Sequence, residues 1–177
     1  MMVLKTILNM NIRKIMAAAA AFAALCSCAV LSDQVTPEEE AMVKERLDAM
    51  SFKVDIEFMN PRRGPQQALT SPYSVVVNDG TITSGLPYIG EAWDLPYGGG
   101  KGLVFESPID TYEQKLAAFG GARIVEITTD NEEDYLLYHF EIYPNGKVNL
   151  TVRSKHRDTI DYRGHLDPYT NPAEKKK

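Results

Sequence analysis

Gly98-Gly99-Gly100-Lys101-Gly102 and His156-Arg157-Asp158 carry the residue types of two familiar catalytic devices. A phosphate-binding loop needs a glycine five residues before its Gly-Lys pair and a hydroxyl after the lysine, so that backbone amides cradle the phosphates and the hydroxyl holds magnesium. Leu95 and Gly102 stand at those places, and no helix is foreseen behind the loop to offer its amide terminus. A kinase catalytic loop runs from its aspartate to an asparagine five residues on; Arg163 is there instead. Asp130-Asn131-Glu132-Glu133-Asp134 has the composition of a calcium loop, yet Tyr135 fills the sixth position, where glycine makes the sharp turn. It reads as a solvated turn between strands. His139, His156 and His165 lack close ligand spacing and read as surface histidines, and no Gly-x-Ser-x-Gly elbow occurs. The residues thus point to no catalytic constellation, no metal site and no cofactor.

What remains is aromatic. Tyr88, Trp93 and Tyr97 lie on a loop stiffened by Pro87 and Pro96 and followed by the glycines. Aromatic side chains on a rigid loop suit contacts with a protein or a saccharide, which makes these three the candidate binding surface. Folded inward, the same side chains would be a lid on the sheet. A competing enzyme reading uses carboxylates near this loop, Asp94 and Glu106, as the acid and base of a hydrolase. A third reading is a structural component of an envelope complex.

The ends say where such a surface would work. Lys5, Arg13 and Lys14 precede an apolar run from Ile15 to Leu25 with no acidic residue, the pattern of a secretory signal. The run is too short for the ~20 residues that span a bilayer. It ends in Leu25-Cys26-Ser27-Cys28, where Cys28 has an aliphatic residue three before it and a small residue directly before it, as lipid attachment requires. The expectation is an exported outer-membrane lipoprotein held only by its lipid, since several acyl chains anchor where one is marginal. A soluble periplasmic protein is the alternative. Both cysteines lie in this box, so the mature chain has no disulfide and must be stabilised by an ordinary core. With 24 acidic residues kept and three of 19 basic ones lost with the leader, the net charge falls from −5 to about −8. Such a surface repels phosphate backbones and excludes nucleic acid as a partner.

The elements that must position the loop follow from periodicity. Thr36-Pro37-Glu38-Glu39 supplies an N-cap, a proline at the first helical position and a capping box, and predicts a helix to about Met50 with Val43, Leu47 and Met50 on one face. From Phe52 the period becomes two, with Phe52, Val54, Ile56 and Phe58 on the apolar side. Tyr73–Val77 and Thr81–Thr83 flank Asn78-Asp79-Gly80 as a hairpin, and three consecutive valines suggest burial on both faces. A short strand follows at Leu103-Val104-Phe105, and residues 110–119 fit either a helical turn or an edge strand. Further strands are expected at about 122–129, 134–143, 147–153 and 158–166. A two-residue turn at Asn145-Gly146 would set Ile142 against Asn149. A three-residue turn, Pro144-Asn145-Gly146, sets Ile142, Phe140 and Tyr138 against Val148, Leu150 and Val152, and is therefore predicted, with positive φ at Gly146. The whole predicts an α+β fold, an amino-terminal helix packed on a mainly antiparallel sheet, with a sandwich or barrel as the alternative. The organisation is a leader at 1–28, a tether at 29–35, a single domain at 36–168 and a flexible tail at 169–177.

Leu69-Thr70-Ser71-Pro72-Tyr73, Leu86-Pro87-Tyr88-Ile89-Gly90-Glu91-Ala92 and Arg157-Asp158-Thr159-Ile160-Asp161-Tyr162-Arg163-Gly164 together resemble the domain-of-unknown-function 4251 family. That family comprises small exported proteins of gut-type Gram-negative bacteria, many with lipoprotein signals. Its members often show Phe and Arg where this chain has Ile89 and Glu91. The resemblance, over about Phe52 to Leu166, implies export and a single domain; it implies no activity.

Overall fold

A computed structural model describes residues 35–93 and 102–172. Among the described residues one helix, α1 (Pro37–Asp48), precedes nine strands: β1 (Phe52–Asn60), β2 (Gln67–Asn78), β3 (Thr81–Leu86), β4 (Leu103–Pro108), β5 (Thr111–Leu116), β6 (Arg123–Asp130), β7 (Tyr135–Ile142), β8 (Lys147–Ser154) and β9 (Ile160–Leu166). The helix begins as its sequence dictates: Glu39 N–H donates to the Thr36 hydroxyl and Thr36 N–H to the Glu39 carboxylate. It ends at Asp48, and Met50 has left it with φ 49°.

All strands belong to one antiparallel sheet in the order β4-β3-β2-β1-β9-β8-β7-β6-β5. Two meanders, β1 to β4 and β5 to β9, meet at the β1–β9 pair and place β4 and β5 on opposite edges. Yet only Ile109 and Asp110 join β4 to β5, so the edges must be brought together and the sheet must curl. The run from Leu103 to Leu116 pairs first with β3 and then with β6; Ile109 N–H donates to Gly80 O and Asp110 N–H to Thr128 O at the crossing. A second measure agrees. Five strand spacings separate β3 from β7, about 24 Å in a flat sheet, but the buried Tyr138 hydroxyl donates to Ser84 Oγ at 2.9 Å across the interior. The Ser84 hydroxyl in turn donates to Leu103 O at 2.8 Å.

The α+β expectation is therefore corrected. The fold is a nearly all-β, curled half-barrel in which the sheet's own walls cover one another, nearer the barrel alternative. Phe52 meets Phe140 edge-on at 5.8 Å, Phe105 meets Tyr138 at 6.4 Å, and α1 adds Val43 and Leu47 to this core, with Met42 packed against it. Strand alternation reports one dry face per hairpin; it says nothing about which dry face meets which, and a helix was the wrong partner to supply.

Local registers follow the pattern more closely. Ile142, Phe140 and Tyr138 face Val148, Leu150 and Val152, Gly146 has φ 76°, and Tyr143 N–H donates to Lys147 O around the three-residue turn. Asp79 and Gly80 make the first hairpin turn, both with positive φ. Val75 and Val77 are buried, whereas Val76 is half-buried on the outer face. Residues 111–116, open between two readings, form an edge strand. The clean alternation expected along β1 breaks after Ile56: a bulge at Glu57 turns Met59 inward in place of Phe58.

Candidate binding surface

The loop leaving β3 is fastened to the loop between β8 and β9. Trp93 N–H donates to His156 O at 2.8 Å, Asp158 N–H to Glu91 O at 3.0 Å, and Ala92 and Arg157 form an isolated bridge. Asp158, almost buried, accepts Glu91 N–H at one carboxylate oxygen and Arg62 at the other. Arg63 and Glu91 pair as well. Below the loop, the buried Tyr162 hydroxyl donates to Pro87 O at 2.6 Å. Backbone and side chains thus hold residues 87–93 at both ends and from beneath.

Beneath the loop lies a second charged residue. Arg157 is 5% exposed, and its guanidinium lies 5.7 Å from the Tyr88 ring centre and 3.4 Å from Asp134, with Glu133 at 3.7 Å. Desolvated cation–ring contacts of this kind contribute more than exposed ones. Asp134 is itself buried and also takes the Ser154 hydroxyl and Lys155 N–H. The acidic turn at 130–134 is therefore only partly solvated, contrary to its composition. Burial pushes the Tyr88 hydroxyl above its ordinary range, partly offset by its bond to the Asp158 backbone. Gly90 belongs to the same packing: a Cβ there would stand 2.8 Å from Cζ of Tyr88.

The three aromatic positions divide. Tyr88 is half-buried and faces inward, its hydroxyl donating to Glu91 O at 2.8 Å. Trp93 is 50% exposed, as is Ile89 at 45%. Tyr97, with Asp94, Gly98 to Lys101 and Cys28, lies outside the described residues. Arg157 and Asp158, set aside as an accidental kinase match, are the hub that positions the loop. Alternation of Ile160 and Tyr162 beyond them gave no signal of it; a charged pair immediately before a buried strand was the only clue.

The other candidates disperse. His139 pairs with Glu126 at 2.9 Å, His165 with Glu57 at 3.3 Å, and His156 lies on the β8–β9 loop. Glu126 is held below its ordinary range by His139 and then Lys115. Glu106 stands on the outer face of β4, where Thr83 donates to it, and is the one carboxylate lining a cleft of about 340 Å³ among the described residues. No group of three or more His, Cys, Asp or Glu among the described residues is placed to hold a metal, and none of their helices is long and apolar enough to cross a membrane.

No curated protein matches the chain. Among solved structures it is similar to a DUF4251 family protein from Bacteroides eggerthii DSM 20697, whose crystal structure was determined at 1.95 Å resolution. The two share 15% identity with a TM-score of 0.58, over 76% of this chain and 91% of that one, a likeness of fold. The sequence model of the domain of unknown function DUF4251 matches residues 34–166, and the chain belongs to that family.

Proposed function

We propose that the protein is an exported, lipid-anchored binding module of the cell envelope that holds a partner protein on the loop at 86–93. The observation that carries this reading is a half-exposed tryptophan on a loop whose backbone is already fixed. Such a side chain offers a large apolar contact at little ordering cost, because the entropy has been given up in the free fold. Ile89 adds exposed apolar area on the same loop, and Arg62, Arg63 and Glu91 give it a charged rim. An apolar centre within a polar rim is the pattern of a protein contact. Anchoring would come from Cys28, which the leader pattern marks.

A photoactivatable residue at position 93, introduced into the full chain in cells, should form an adduct with a discrete envelope polypeptide. That adduct should disappear when Ile89→Asp is added. An adduct only with glycan would move the reading to a saccharide, and no adduct would remove it. Palmitate labelling of wild type, Cys28→Ala and Cys26→Ala tests the anchor: labelling that survives loss of Cys28 refutes the assignment.

A further inference from the structure

We propose that β5 is a self-recognition edge, through which two copies of this chain pair antiparallel about a twofold axis at Gln114. The inference is separate from the binding loop and begins with hydrogen-bond parity. Ala117 N–H donates to Ala122 O, and this pair continues the β5–β6 register in which Thr111 faces Thr128 and Leu116 faces Arg123. In an antiparallel ladder the bonded pairs alternate. Residues 111, 113, 115 and 117 therefore turn their N–H and C=O toward β6, and Tyr112, Gln114 and Leu116 turn theirs to the free edge. No described residue pairs with those outward backbone groups, and Leu116 is 69% exposed.

The sequence Thr-Tyr-Glu-Gln-Lys-Leu is complementary to itself in the one register that this parity favours. Centred on Gln114, the outward groups of 112, 114 and 116 face 116, 114 and 112 of the second copy, giving three bonded pairs. Glu113 then lies opposite Lys115 of the second copy, twice, in the non-bonded positions where side chains come closest. Tyr112 lies opposite Leu116, also twice. Charge points the same way. Within its own chain Glu113 sits directly opposite Glu126, a like-charge pair that is unfavourable in a sheet. Lys115 already reaches Glu126 at 3.2 Å, while Glu113 has no cation across from it; the second copy supplies one. A slip of one residue would set Glu113 against Gln114 and lose both charge pairs, so the match selects its register.

The test traps the register in the cells that make the full chain. Glu113→Cys and Lys115→Cys copies, carrying different tags and expressed together, should form a disulfide-linked heterodimer under mild oxidation. Cα atoms in a non-bonded pair are ~4.5 Å apart, within disulfide reach. Either variant expressed alone should stay at the wild-type background, because 113 faces 115 and not itself. Gln114→Pro, which removes an outward N–H without breaking the β6 ladder, should cut co-precipitation of two tagged wild-type-length copies at least tenfold. Equal crosslinking of each single variant alone, or no heterodimer above the wild-type background, overturns the proposal.

Discussion

Arg157 and Asp134 show what single residues do for this loop. Their ion pair is buried, and burying two charges is offset only while both are present. Arg157→Ala should therefore cost about 3–5 kcal/mol in urea denaturation, by leaving Asp134 without its cation. Asp134→Asn added to it should recover a good part of that loss, since the amide oxygen can still accept Lys155 N–H. Asp167 gives a pH signature. Its burial opposes the charge, but bonds from Thr170, Tyr169 N–H and Lys53 outweigh it and hold the carboxyl at about 2. A carboxyl depressed on folding stabilises above its unfolded pKa and loses that contribution as pH falls through the folded value. The stability of wild type relative to Asp167→Asn should accordingly be constant above about pH 5 and shrink by on the order of 1 to 2 kcal/mol between pH 4 and 2, read from denaturation midpoints.

At the scale of elements, periodicity was informative wherever neighbours in sequence are neighbours in space. The capping box at Thr36, the Asp79-Gly80 turn and the three-residue turn before Lys147 were all legible, because short-range sterics and face matching decide them. The bulge in β1 was not, since it shows only in the pairing of β1 with its neighbours, and one of these, β9, is distant in sequence. Gly164 of β9, the partner of Ile56 just before the bulge, approaches the Asp55 carbonyl so closely that a Cβ would collide with it. Gly164→Ala should push β1 and β9 apart and destabilise by roughly 2–4 kcal/mol, a loss in the range of core overpacking and strain. Thermal unfolding followed by circular dichroism would measure it; a change below 0.5 kcal/mol would refute the close approach of Gly164 to Asp55. The loop at 86–93 was half legible in the same way. Its prolines and aromatics marked it, but the hub at Arg157-Asp158 is about 70 residues away, and its one local clue, a charged pair before a buried strand, does not say which loop it holds.

For the whole molecule, the deciding feature is the two-residue link between opposite edges, which forces the curl and brings Ser84 within reach of Tyr138. Burial pushes the hydroxyls of Tyr138 and Tyr162 far above their ordinary range, so both are protonated donors at neutral pH. Tyr138→Phe should cost about 1–2 kcal/mol, because Ser84 keeps its own acceptor at Leu103 but loses the proton offered to it. The sequence held no sign that strands five places apart would touch. The short link is visible in hindsight, but only the strand order gives it meaning.

The central claim is that Trp93 faces a partner from a loop fixed in advance, and Trp93 is the only tryptophan of the chain. Fluorine NMR of the chain labelled with 5-fluorotryptophan therefore reports on this one position. The account predicts a single sharp resonance with about half the water-to-deuterium-oxide shift of the free amino acid, broadened or displaced when unlabelled envelope extract is added. A resonance with no solvent shift, or one indifferent to the extract, would contradict it.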